Sequence, residues 1–180
     1  VDGSDFWPMI EQLTRRAASF ADGVSTVWVG YGMGALVAYE VLKYMEKIEL
    51  QCPNLPVALV VVDCPAPHQF SEMYKPYDMS WSNEEFLACA SEVQARVTSC
   101  VNMMRSYKCP HAKSQAMLHI PVRAACHSGV QLFQDTACKE WERYSQEGGF
   151  EWTSLGPCPR PSGANYLKGT GVSVKAEAKL

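Results

Sequence analysis

The 180-residue sequence has no Cys-x-x-Cys pair, no apolar run near the roughly 18 residues that span a bilayer, and no basic excess. The first absence argues against the common zinc and redox motifs, the second against a transmembrane helix. The third argues against nucleic acid, which asks for concentrated positive charge. Sixteen Lys and Arg stand against nineteen Asp and Glu, a net charge of −3. A secretory signal pattern is also lacking, since Asp2 and Asp5 occupy the place of a basic n-region. An organellar targeting peptide removed before Val1 would leave no trace to read.

Eight cysteines are present (Cys52, Cys64, Cys89, Cys100, Cys109, Cys126, Cys138 and Cys158), without a repeated spacing. With 47% hydrophobic residues the chain can build a core without disulfide staples. They are therefore expected as buried free thiols, in an intracellular, reducing compartment. The four histidines, His68, His111, His119 and His127, show no metal-ligand spacing, and no cofactor is expected.

Apolar residues recur at helical steps from Asp5 to Ala21, and the Asp22-Gly23 pair closes that helix. Ser25 to Val29 is short, apolar and β-branched, as a buried strand is. The glycine-dense turn Gly30 to Gly34 follows, then helical periodicity from Ala35 to Lys47. A second strand is predicted over Pro56 to Val62, apolar on both faces as in a parallel sheet. Pro65 and Pro67 bar it, or any helix, from continuing. Ser82 with Glu85 reads as a capped helix start, and that helix is predicted to run to about Tyr107. A third strand is predicted over Ile120 to Ala125, a helix over Asp135 to Gln146, and a fourth strand over Phe150 to Leu155. Alternation of strands and helices predicts an α/β layered domain with a mostly parallel sheet flanked by helices.

The segment Val27 to Val41, VWVGYGMGALVAYEV, resembles the strand, elbow and helix of type II thioesterases. These are α/β-hydrolases acting on acyl chains of polyketide and non-ribosomal peptide carrier proteins. Their elbow reads G-x-S-M-G-A. LVVVDCPAPH (Leu59 to His68), Asn83 to Leu87, and IPVRAACHSGVQLF (Ile120 to Phe133) are similar to the next strand, the lid start and the seventh strand of that family. The resemblance implies a partial α/β-hydrolase domain over residues 1–167, a short helical lid at about 78–112, and a C-terminal tail over 168–180.

It also implies where the catalytic groups would stand, and there the sequence departs from the pattern. The nucleophile position is Gly32, which has no side chain. The acid position falls in His127-Ser128-Gly129-Val130, a stretch without a carboxylate, so Ser128 and Val130 mark it as vacant. The base position is Ala164. Met33 retains an elbow amide able to form half an oxyanion hole, and Gly30 and Gly34 retain the elbow glycines that permit a tight strand-to-helix approach.

The family's early strands have no counterpart here, so Val27, Trp28 and Val29 are expected to form an open apolar edge covered by another protein chain or by a preceding segment. Tyr74, Tyr77 and Trp81 form an aromatic loop suited to the same kind of contact. Cys64 with His68, Cys126 with His127, and Ser128 are the displaced nucleophiles worth considering, although each reads more simply as a core or turn residue. Met33, Met73, Met79, Met103, Met104 and Met117 read chiefly as core, with an acyl or other apolar ligand pocket as the alternative. The functional expectation is a catalytically inactive thioesterase-like domain serving as a structural or accessory subunit. Its alternatives are an acyl-thioester hydrolase using displaced or partner-supplied residues, and an acyl- or lipid-binding module.

Overall fold

The computed structural model describes residues 6–19, 24–48, 55–74, 95, 98–99, 102–103, 107–111, 116–128 and 135–157. Helix α1 (Phe6–Ser19) leads to strand β1 (Val27–Tyr31), helix α2 (Met33–Lys47) and strand β2 (Ala58–Val62). A 3-10 turn (Pro67–Gln69) and a short helix α3 (Phe70–Tyr74) follow. Beyond them lie strand β3 (Val122–Ser128), helix α4 (Asp135–Lys139) with a 3-10 extension (Glu140–Tyr144), and strand β4 (Phe150–Pro157). The four strands form one parallel sheet in the order β1-β2-β3-β4. All four C-terminal ends therefore open at the same sheet edge, where α/β proteins place their ligands.

The core forms on one side of this sheet. Leu36, Tyr39, Leu42 and Met45 of α2 are buried with Ile10 of α1, and with Leu59, Val61 and Val122 of the central strands. Each such aliphatic side chain contributes about 1.5–3 kcal/mol by leaving water. Trp141 and Tyr144 are buried from the far end, and both pack edge-on against Tyr39.

Several boundaries differ from the sequence expectation. The helix predicted over Asp135 to Gln146 stops at Lys139 and tightens into the 3-10 segment, with Ser145 N–H donating to the Glu142 carbonyl. A 3-10 turn stacks residues three apart, which places Trp141 and Tyr144 on one side. Pro67 does not bar a helix but begins one, since its fixed φ and missing N–H suit a first turn. β3 runs past Ala125 through His127 and Ser128, so these two end a strand rather than open a loop. Tyr107 lies outside any helix, although its N–H still reaches the Met103 carbonyl. Apart from residues 95, 98–99, 102–103 and 107–111, the predicted lid with Trp81 lies outside the described residues, as do Tyr77, Val130, Ala164, the side chain of Tyr74 and the 168–180 tail.

The expectation of a buried strand is corrected for β1, whereas β2, expected to be apolar on both faces, has every residue buried or half-buried. The register puts Val27, Val29 and Tyr31 on the same face as Arg123, Thr153 and Glu151, and all six are exposed. Trp28 and Gly30 alternate to the covered face, where α2 lies. Among the described residues β1 has a strand partner on one side only, β2, so the expected open edge is present.

Candidate active site at the strand ends

The chain turns from β1 into α2 at Gly32, with φ 51° and ψ −125°. An L side chain adopts this combination only with strain, and it belongs to the sharp strand-to-helix turn on which a hydrolase nucleophile is held. Gly32 N–H donates to the Val62 carbonyl at 2.9 Å, and its own carbonyl accepts from Ala35 N–H at 3.0 Å, which locks the turn between β2 and α2. A Cβ built on Gly32 meets nothing within 4 Å. The backbone of a nucleophile elbow is thus present, with open space where a nucleophile would project.

The two flanking glycines are not equivalent. A Cβ on Gly30 would stand 2.3 Å from the Ala35 Cα, so its absence lets α2 approach the strand. A Cβ on Gly34 would meet nothing within 4 Å, which corrects the expectation that Gly34 also serves this approach. Met33 begins α2, and its N–H is among those a helix leaves without an intrahelical partner.

One strand further on, Asp63 follows β2 directly, and it is the residue that sequence reasoning missed. Among the described residues it alone combines a side chain with positive φ, at 48°. Its carboxylate is almost wholly buried, and both oxygens are engaged by His127 at the end of β3. The His127 backbone N–H donates to Oδ1 at 2.7 Å, while Nδ1 lies 2.7 Å from Oδ2. A carboxylate can only accept, so Nδ1 carries the hydrogen and Nε2 of the neutral ring keeps its lone pair. The His127 side chain remains one-fifth exposed. Among the described residues, the carboxylate nearest the stretch that includes Ser128 thus stands at the end of β2, bonded to His127. An Asp immediately after a buried apolar strand was the available signal.

The thiols beside this pair, Cys64, Cys126 and Cys138, are buried. Cys64 is buried and donates to the Pro65 carbonyl at 3.3 Å, and burial pushes its thiol far above the usual range. Burial pushes Cys138 up to about 11, against a lesser lowering by its hydrogen bond with Cys126. His68 is held elsewhere. Its Nδ1 lies 2.9 Å from the Tyr144 hydroxyl, and the two rings stack. The Cys126 thiol lies 3.5 Å from the His127 carbonyl. Cys64, Cys109, Cys126 and Cys138 are free thiols, as expected, and no metal-binding cluster exists among the described residues.

A second polar cluster runs along α2. Glu40 is buried and accepts from the Tyr107 hydroxyl and from His111, whose Nε2 lies 2.8 Å away. Tyr39 donates to the Ala116 carbonyl at 2.7 Å, Lys43 to the Met117 carbonyl at 2.8 Å, and His119 N–H to Glu46 at 2.7 Å. Burial, ahead of the neighbouring negative charge, raises the Tyr39 and Tyr107 hydroxyls far above their usual range, so both remain donors. This row fastens Tyr107, His111 and the 116–119 segment onto α2.

No protein-family model and no curated protein matches the sequence. Solved structures do match its fold. RedJ, a thioesterase from the prodiginine biosynthetic pathway in Streptomyces coelicolor, superposes with a TM-score of 0.63 at 18% identity, over 84% of this chain and 59% of that one. BorB, the type II thioesterase from the borrelidin biosynthetic cluster, gives 0.59 at 17% identity, over 84% and 62%. YbtT, a type II thioesterase from the yersiniabactin NRPS/PKS pathway, gives 0.56 at 20% identity, over 84% and 64%. The chain spans about three-fifths of the length of each. A four-stranded parallel sheet, the elbow turn into α2 and these likenesses together establish that the chain has the α/β-hydrolase fold of the type II thioesterases.

Proposed function

We propose that this chain is a thioesterase-like domain inactive in the covalent chemistry of its fold, serving as an accessory subunit of a larger assembly. One observation carries the reading. The elbow conformation is intact at Gly32, yet the residue there has no atom with which to attack a carbonyl. An acyl-enzyme requires a nucleophile beside a base, and the neighbouring thiols are held protonated by burial. The partner in this proposal is another protein chain that adds to the side of β1 without a strand neighbour among the described residues, covering Val27 and Val29.

The test combines two measurements on protein isolated from its source without overexpression. Incubation with an acyl thioester should leave the intact mass unchanged, and the native protein should run inside a larger complex at fixed stoichiometry. An acyl adduct on the chain would overturn the inactive elbow. Migration as a free 20.0 kDa monomer would overturn the accessory role.

A further inference from the structure

We infer that Asp63 and His127 form a general-base site serving a nucleophile the chain does not own, a water molecule that attacks an acyl thioester in a single step. The inference rests on the reading that no acyl-enzyme forms at Gly32, and it goes beyond the accessory role by giving the domain a reaction of its own.

Four observations converge on the pair. Its residues end two adjacent parallel strands at the edge where ligands bind. The carboxylate is almost wholly buried and spends both oxygens on one residue, which fixes the ring and leaves Nε2 as acceptor. The backbone at Asp63 holds a positive φ that a side-chain residue rarely adopts, and strain of this kind gathers at functional sites. His127 keeps part of its ring exposed, whereas a purely structural ion pair has no need of that exposure.

The placement suits water better than a side chain. Gly32 hydrogen-bonds to the end of β2, and β2 separates β1 from β3. Strands lie about 4.8 Å apart, so the elbow and the end of β3 are separated by roughly 10 Å of backbone. The step requires an acyl carbonyl beside the elbow, where a Cβ on Gly32 would meet nothing within 4 Å, and a water between it and the imidazole. In the step, Nε2 takes one proton from water as the oxygen bonds to the carbonyl carbon. The carbon–sulfur bond then breaks, and the departing thiolate recovers the proton from the imidazolium. A carboxylic acid and a thiol leave, and His127 is neutral again. Asp63 is a positioning residue throughout, holding the ring and stabilising its transient charge.

The probe is S-hexanoyl-N-acetylcysteamine, followed by thiol release, with intact-mass analysis of the full chain. Wild type should release thiol faster than buffer without an acyl adduct, and His127→Gln should lose that excess by about 100-fold or more. Asp63→Asn should displace the acid limb of the pH–rate profile, an effect that loss of packing alone does not produce. If His127→Gln fails to fold, the wild-type profile decides, since base catalysis requires the rate to fall as the imidazole takes up a proton. A rate equal to buffer, one unchanged in His127→Gln, or one flat with pH overturns this inference and leaves the empty elbow standing. An acyl adduct overturns the empty elbow itself.

Discussion

The turn after β1 and the strand ends beside it differ in what each holds in place. At Gly32 the backbone keeps a strained, purposeful shape with no side chain to present. At Asp63 and His127 a buried carboxylate and a partly exposed imidazole are tightly paired. Backbone geometry and side-chain pairing therefore separate within one sheet edge. The first depends on local turns and on one close approach at Gly30. The second depends on two strands being adjacent and in register.

The sharpest way to break that contrast is to disturb the shared scaffold. Gly30→Ala drives a methyl into the backbone of Ala35, which cannot yield, and should cost about 3 kcal/mol or more. A urea unfolding midpoint reads this directly, and a loss below about 1 kcal/mol would mean that the strand and helix can part. Asp63→Ala probes the strand ends, leaving two donors of His127 without their acceptor. The expected loss is about 2–4 kcal/mol. Asp63→Asn should lose less, because its amide oxygen still accepts one of them. Equal losses would assign the stability to the backbone at 63 rather than to the pair.

A smaller effect comes from the thiols beneath the pair. Cys138 has its ordinary value of 9.0 raised to about 11 by burial, and Cys64 is raised further. Below pH 9 both are protonated in the folded and unfolded chain, so they impose no pH dependence. From pH 9 to 11 the unfolded chain loses these protons while the folded one keeps them, so stability falls as pH rises. Melting temperatures at pH 8 and pH 10 check this, and Cys138→Ala should flatten part of the slope. The smallest expected change separates two glycines of the same turn. Gly34→Ala fills open space within α2 and should stabilise by up to about 1 kcal/mol. Gly32→Ala, equally unobstructed but at φ 51°, should destabilise by about 1–3 kcal/mol. The same sign for both would remove the conformational argument for an elbow.

Much of the fold was legible because its signals are local. The apolar run ending at Val62, the helical spacing from Leu36 to Met45 and the glycine cluster between them each report on a few consecutive residues. The edge position of β1 among the described residues was expected only through the resemblance, because no local signal carries it. The 3-10 tightening at Glu140 to Tyr144 was not legible, because it answers to Tyr39 and Cys64, more than 70 residues away. The buried role of Glu40 was hidden in the same way, as a helical glutamate ordinarily faces solvent.

The candidate site divides along the same line. The expectation of an empty elbow came from the resemblance together with the identity of residue 32, since a glycine cannot attack a carbonyl in any fold. The composition and strand pattern likewise determined an α/β sheet and free thiols. Only the tertiary structure joined Asp63 to His127, 64 residues apart, and it did so through the parallel register of β2 and β3. It also decided that Gly30 rather than Gly34 is the glycine packing requires, and that one face of β1 is left exposed. Sequence reports what each residue can do, whereas pairing, burial and close approach are properties of what the chain brings beside it.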